Sequence, residues 1–217
     1  MKHSAKGMTL PELVIAISIV SVIALAVTGV AMALSTANAN ANAYDQTIQG
    51  TRVASMTLGS QMKSSSLVTA CDSGRIALWT GDANNDGKIN YDELAVISYE
   101  QDTEQLVCYR AVFPSNWPQW LKNLLNTPYE LADLTSASTV ESLVRYGFYS
   151  QQTVLANDVS SVGIAASPAP PMSKLATVEF TIGQGDSAMT SRATANLRAD
   201  RTSSVMLAGD EYYLDPN

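Results

Sequence analysis

Histidine is almost missing from this sequence, since the only one, His3, lies at its N-terminal end. A Ser-His-Asp triad or a Cys-His pair would therefore lack a histidine base within a folded domain. Cysteine is scarce as well: Cys71 and Cys108 are too few for a structural zinc site and match no CxxC spacing. These two cysteines could form a disulfide or remain as inert buried thiols.

Charged residues are also few, at 15% of the chain against 46% hydrophobic residues. The 13 Lys and Arg residues are outnumbered by 20 Asp and Glu, which gives a formal net charge of -7. Because an acidic surface repels phosphate backbones, we expect no nucleic-acid partner. The length of 217 residues suits one compact domain with an appendage.

The apolar residues concentrate near the N-terminus, where no Asp, Glu, Lys or Arg lies between Glu12 and Asp45. As a helix, the unbroken apolar run Leu13–Leu34 would be about 33 Å long, close to the roughly 30 Å hydrocarbon core of a bilayer. Lys2 and Lys6 precede the run and predict a cytoplasmic N-terminus, with the rest of the chain facing outward. A secretory signal peptide is the alternative, but the run is longer than a typical h-region.

Glu12 lies at the edge of this apolar run, where a carboxylate is costly unless a positive charge neutralises it. The chain reads Gly7-Met8-Thr9-Leu10-Pro11-Glu12-Leu13 before the apolar residues continue. This pattern resembles the class III leader of type IV pilins and type II secretion pseudopilins. The resemblance implies that a prepilin peptidase cleaves after Gly7 and methylates the new amine of Met8. It also implies that Glu12 pairs with the terminal amine of a neighbouring subunit.

The same resemblance implies a non-catalytic, minor structural subunit of a type II secretion pseudopilus or type IV pilus-like filament. Such a subunit would be a single-pass protein of the inner (cytoplasmic) membrane, with its C-terminal domain periplasmic or extracellular, and could be extracted into a filament. Its expected partners are other pilin or pseudopilin subunits, the prepilin peptidase, the inner-membrane assembly platform and the lipid bilayer. A looser resemblance is to the minor J-type pseudopilin. It depends on the Arg52-x-x-x-Met56-x-Leu58 pattern, Val159–Val162, Val178–Phe180 and Leu197-Arg198.

We expect an α+β, pilin-like fold in which a long N-terminal transmembrane helix precedes an antiparallel sheet domain with short helical insertions. The expected parts are a leader 1–7, a transmembrane and assembly helix 8–35, a helix extension 36–68 and an outer β-rich domain 69–217. Helical spacing predicts that one face of the extension packs on the domain. The residues of that face are Ile48, Val53, Met56, Met62 and Leu67.

Short β-rich runs predict strands at Ile76–Trp79, Leu94–Tyr99 and Gln105–Phe113. A final hairpin is predicted from Thr177–Ile182 and Ala193–Leu197, on either side of a glycine-containing turn. Two short helices are predicted between these groups of strands. Their signals are a proline within Asn116–Leu121 and a capping box formed by Ser138 and Glu141.

The outer domain contains one pattern typical of a metal site, Asp82–Glu93. It has oxygen-bearing side chains at the first, third, fifth, ninth and twelfth positions, glycine at the sixth and an apolar residue at the eighth. This is the pattern of an EF-hand calcium loop. Ca²⁺ prefers hard oxygen ligands, which alternate residues of a tight loop can supply. The predicted ligands are the side chains of Asp82, Asn84, Asp86, Asn90 and Glu93 and the carbonyl of Lys88.

We expect Ca²⁺ to stabilise the outer domain structurally, because the chain has a single such loop. A metal-free hairpin turn is the alternative, since Asn, Asp and Gly favour turns on their own. In an outward-facing, oxidising compartment, Cys71 and Cys108 could pair in a disulfide.

Two other functional classes compete with a filament subunit. The first is a single-span, membrane-anchored calcium-binding surface protein acting as a binding module, with Trp117 and Trp120 as an aromatic platform. The second is a membrane-anchored enzyme that uses carboxylates such as Asp102, Glu104 or Asp158, as in glycoside hydrolysis. No spacing singles out a catalytic pair, so we expect no enzymatic activity.

Overall fold

The structure, a computed structural model, describes residues 8–147, 149–185, 188–197, 205–208 and 211–214. A long helix α1, Leu10–Ser64, comes first, and antiparallel strands with short helices follow it. This order confirms the predicted α+β class. The chain forms two compact units, Met1–Gln46 and Thr47–Asn217, and the division between them falls inside the predicted extension 36–68.

At the start of α1, the backbone N–H and the hydroxyl of Thr9 both donate to the Glu12 carboxylate at 2.8 Å, and the first of these bonds is one half of a capping box. Pro11 lies in the first turn, where its missing N–H would have no helical acceptor. Within the apolar run, the hydroxyls of Ser18 and Ser21 donate to carbonyls four residues earlier at 2.8 Å. The helix therefore satisfies these polar groups internally, as a hydrocarbon environment requires.

In the second unit, α1 buries one stripe of side chains against the sheets. The stripe consists of Thr51, Ala54, Leu58 and Met62. The prediction that Val53 and Met56 belong to this face is wrong, because they are 62% and 74% exposed. The buried stripe follows helical spacing through the small residue Ala54, and a small residue lets a helix approach a sheet closely.

The strands follow in chain order. They are β1 Leu67–Cys71, β2 Arg75–Trp79, β3 Ile89–Asn90, β4 Leu94–Glu100, β5 Gln105–Ala111, β6 Pro128–Tyr129, β7 Ser150–Ala156, β8 Val159–Ser167, β9 Leu175–Ile182, β10 Met189–Asn196, β11 Val205–Ala208 and β12 Glu211–Leu214. The larger sheet has the order β1-β2-β4-β5-β7, with all neighbours antiparallel. Three predicted strands are confirmed as β2, β4 and β5.

A second antiparallel sheet has the order β10-β9-β8, and its β9–β10 hairpin confirms the predicted hairpin, although it is not the final one because β11 and β12 follow it. Gly183 and Gly185 in its turn have positive φ angles of 85° and 62°, a conformation that favours glycine. Two short antiparallel pairs complete the strands, β3 with β6 and β11 with β12.

The larger sheet has an apolar core on each face. One core joins the α1 stripe to side chains of both sheets, such as Ile97 and Phe180. The other packs Trp79 and Val107 against the helix α3, Ala137–Tyr146. A short helix α2, Gln119–Leu125, has no buried residue. The two predicted short helices are thus confirmed.

The N-terminus of α3 differs from the predicted capping box. Ser136 occupies the N-cap, and its hydroxyl bonds that of Ser138 at 2.9 Å. Glu141 instead points into the sheet, where it accepts hydrogen bonds from Ser98 at 2.9 Å and from Arg75. Burial against the sheet therefore decides the role of Glu141, and no cap forms with it.

Candidate functional site

The N-terminal candidate site consists of Gly7, Met8 and Glu12. Met8 and Glu12 are exposed, and Gly7 lies outside the described residues. Two hydrogen bonds from Thr9 orient the Glu12 carboxylate at the first turn of α1. By length and composition, α1 is the one helix among the described residues that could cross a membrane.

The second candidate site is the loop Asp82–Glu93, which is folded around the carboxylate of Asp82. The backbone N–H groups of Asp86 and Gly87 donate to the two Asp82 oxygens at 3.0 and 2.8 Å. Asn85 and Gly87 have positive φ angles of 58° and 74°, which turn the chain sharply. The predicted turn at Gly87 is therefore present.

The Asp86 carboxylate accepts hydrogen bonds from several groups of this loop. One of its oxygens accepts from the Lys88 N–H at 2.8 Å, and the other accepts from the amides of Asn84 and Asn90 at 2.9 and 3.0 Å. Partial desolvation raises the pKa of Asp86, but the bonds from Asn90, Lys88 and Asn84 outweigh it, so the pKa lies below its ordinary value.

Glu93 lies at the base of the loop and is only 2% exposed. One of its oxygens accepts from the Ala83 N–H at 2.7 Å. The other accepts from the Trp79 indole at 2.9 Å and from the Asn90 N–H at 3.1 Å. Burial raises the pKa of Glu93, although these three donors oppose the shift. The carboxylate thus ties the loop to the core of the sheet.

The loop fits Ca²⁺ in the chemistry of its donors, because every predicted ligand atom is an oxygen. Hydrogen bonds through Asp86 bring Asp82, Asn84 and Asn90 together, whereas Glu93 faces Trp79. Within the described part of the chain, no three His, Cys, Asp or Glu side chains form a group that could hold a metal ion.

Comparison with known families finds one match, which covers residues 2–28 and is described as the prokaryotic N-terminal methylation motif. The match supports the type IV pilin and pseudopilin family. It includes Gly7, Met8 and Glu12, and its residues 10–28 form the first part of the long helix α1. Subunits of this family are generally structural and non-catalytic, and the motif with its apolar helix supports a membrane-anchored protein. No curated protein and no solved structure matches the chain.

Cys71 and Cys108 are both free thiols, so the possible disulfide between them does not form in this fold. They lie in one row across the larger sheet, separated by Ile76 and Ile97. Three strand spacings put their Cα atoms about 14 Å apart, whereas a disulfide needs at most about 7 Å. Burial raises the pKa of both thiols, although only Cys108 is fully buried and Cys71 is half-buried.

The two tryptophans of the predicted platform differ in their surroundings. Trp117 stacks on Phe113 with ring centroids 6.1 Å apart and meets Tyr149 edge-on at 4.7 Å. Trp120 on α2 is 68% exposed. Trp120 is therefore the more exposed of the two, and Trp117 is half-buried.

The carboxylates considered for catalysis are exposed, and they lie in the turns that flank β5 and β8. These carboxylates are Asp102, Glu104 and Asp158. No ion pair joins any of them among the described residues.

Sequence reasoning missed a charged cluster that fixes α3 to the larger sheet. Glu141 on α3 binds Arg75, and Arg145 on α3 pairs with Glu100. The Tyr109 hydroxyl donates to Glu100 at 2.7 Å; burial, and then Glu100, raises the pKa of Tyr109 to about 12. These charges lie far apart in the sequence, so no local pattern indicates the cluster.

Proposed function

We propose that this chain is a minor, non-catalytic structural subunit of a type II secretion pseudopilus or a type IV pilus-like filament. The observation that carries the proposal is the methylation motif at residues 2–28, which continues without interruption into an apolar helix. The J-type minor pseudopilin is the specific relative that we propose. The subunit assembles with other pilin-like subunits on an inner-membrane platform.

In this proposal a prepilin peptidase cleaves after Gly7 and methylates the amine of Met8. Loss of Lys2 and Lys6 takes the formal net charge from -7 to -9. The apolar part of α1 then holds the subunit in the inner membrane, with the C-terminal domain outside. Glu12 presents its carboxylate at the first turn of α1, where the terminal amine of a neighbouring subunit neutralises it.

We further propose that Ca²⁺ binds the loop through Asp82, Asn84, Asp86, Asn90 and the carbonyl of Lys88. The ion would supply positive charge that balances the loop carboxylates. The Glu93 oxygen that accepts from Ala83 has a second lone pair for the ion, whereas the oxygen that accepts from both Trp79 and Asn90 does not. Ligation by both oxygens would therefore release one of those two bonds, and loss of the Trp79 bond would report on it. The proposed role is structural stabilisation of the outer domain.

The processing step is tested by expressing the full chain with a prepilin peptidase and determining its N-terminus by mass spectrometry. We expect a mature chain that begins at N-methylated Met8. Gly7→Leu should leave the leader attached because the peptidase requires a small residue there, whereas the matched leader variant Ala5→Leu should be processed. An intact Met1, or cleavage within residues 33–43, would contradict the proposal.

The alternative is a membrane-anchored, calcium-binding surface protein that acts as a binding module. The exposure of Trp120 and Leu124 on α2 favours it, since exposed aromatic residues often contact partners. Crosslinking in native membranes separates the two. Recovery of several leader-bearing, pilin-like chains with a secretion ATPase platform supports the filament subunit, and recovery without any such chain supports the binding module.

A further inference from the structure

The larger sheet ends in an open edge at β7. Among the strands that the structure describes, β5 alone pairs with β7, and Ser150 to Val154 are all exposed. Among the described residues, no backbone hydrogen bond reaches the outer side of β7. The strand therefore presents a row of N–H and C=O groups that another strand can satisfy.

This edge lacks the features that usually protect a sheet from a further strand. Proteins commonly place lysine, proline or a bulge on an exposed edge. The sequence of β7 is Ser-Gln-Gln-Thr-Val-Leu-Ala, without charge or proline, and its register irregularity lies at the far end, opposite Leu106 and Val107. In a chain with net charge -7, β7 is thus an uncharged surface that another acidic polypeptide can approach.

A positive charge next to this edge has no acidic partner. Arg110 on β5 lies opposite Gln151 on β7. Its Nη2 donates to the Gln61 side chain at 2.7 Å, but its Nε is buried without an acceptor. In the described ranges no carboxylate forms an ion pair with Arg110. A partly buried guanidinium without a counter-ion is unfavourable, so its surroundings favour an incoming carboxylate.

We propose that the outer edge of β7 binds an extended strand of a partner polypeptide through main-chain hydrogen bonds, and that an acidic side chain of this strand pairs with Arg110. Strand addition of this kind takes affinity from the backbone and specificity from side chains. The added strand would lie about 10 Å from β5, within the combined reach of an arginine and a glutamate. A second copy of β7 cannot supply the carboxylate, because the strand contains none.

This inference does not depend on the filament proposal, because an open edge binds a strand in any anchored protein. The N-terminal processing assay and the edge assay have separate readouts. Either proposal can therefore fail without the other.

The test uses the full chain in native membranes, with a photoreactive benzophenone amino acid placed in turn at positions 151, 152, 153 and 154. Position 142, exposed on α3, is the control. We expect these four positions to capture one segment of one partner protein. The crosslinked residue should move by one residue along that segment at each step, and the segment should contain Asp or Glu. The proposal would be overturned if the yields were no higher than at position 142, or if the crosslinks joined two β7 strands. It would also be overturned if the crosslinked residue did not move by one residue at each step.

Two isosteric substitutions test the role of Arg110 without removing it. Gln151→Glu places a carboxylate opposite Arg110, so it should lower the crosslink yield from position 154 by about tenfold through loss of the intermolecular pair. Gln152→Glu adds the same charge to the same edge but on the other face, since successive side chains alternate. The Gln152→Glu variant should therefore keep most of the crosslink yield from position 154. Equal yields in the two variants would overturn the pairing with Arg110.

Discussion

At the residue scale, the carboxylates of the Asp82–Glu93 loop show how position within a short segment decides the chemistry of like groups. Asp86 is exposed and collects donors from its own loop, which lowers its pKa. Glu93 is buried under the sheet, which raises its pKa despite three donors. The loop therefore combines a carboxylate that stays charged easily with one whose charge is costly.

Calcium should stabilise the wild-type chain through this loop. A site with a Kd of about 10 µM in about 1 mM Ca²⁺ would add about 2.7 kcal/mol to the free energy of unfolding. Asp82→Ala should lower the melting temperature mainly when Ca²⁺ is present. Thermal melts with Ca²⁺ and with chelator, followed by tryptophan fluorescence, measure both effects. Identical wild-type melts in the two conditions would contradict a calcium site.

Asp86 should make the loop less stable in acid. Because its folded pKa is lowered, its contribution is present above the unfolded pKa of about 3.9 and is lost as pH falls through the folded pKa. Asp86→Asn should therefore reduce the loss of stability between about pH 5 and pH 2. Denaturant titrations in the presence of chelator measure this loss. The control is Asp92→Asn, an exposed position on the same loop, and an equal effect of both variants would argue against the prediction.

At the element scale, the second half of α1 has apolar side chains on two faces, of which one is buried and the other is exposed. Helical spacing alone allowed more than one apolar stripe, and contact with both sheets selected the one that contains Ala54 and Leu58. Similarly, Glu141 was predicted as a cap but became a sheet contact once α3 packed on β2 and β4. In both helices, packing against the sheets decided which side chains are buried and which contacts they make, and the local sequence pattern did not.

The two faces of α1 should differ in their response to truncation. Leu58→Ala should lower the free energy of unfolding by about 2 to 5 kcal/mol, because removing this fully buried side chain leaves a cavity in the core. Met56→Ala, on the exposed face two residues away, should change it by no more than about 0.5 kcal/mol. Urea denaturation of the full chain in detergent compares them. A larger effect of Met56→Ala than of Leu58→Ala would mean that the predicted face, which contains Met56, is the buried one.

At the scale of the whole molecule, the order of the strands separates residues that the sequence suggested as partners. Cys71 and Cys108 are at opposite ends of one row that crosses β1, β2, β4 and β5. The sequence shows only that two thiols exist in a short chain. Their distance depends on which strands lie between them.

The cysteines should therefore react as two separate thiols. Alkylation of the denatured, non-reduced chain should modify both, and added reductant should leave the melting temperature unchanged. Mass spectrometry counts the modified thiols. One bridged pair within a monomer, resistant to alkylation until reduction, would require a different strand order.

The sequence by itself determined the N-terminal motif, the apolar helix, the α+β class and the main strands. These properties depend on local composition and spacing, as in Gly7 to Leu13 and the continuous buried runs of β4 and β5. Only the tertiary structure decided which stripe of α1 is buried, that Glu93 faces Trp79, and that β7 ends the sheet beside Arg110. Those outcomes depend on contacts between residues distant along the chain, because strand order and packing set which side chains meet.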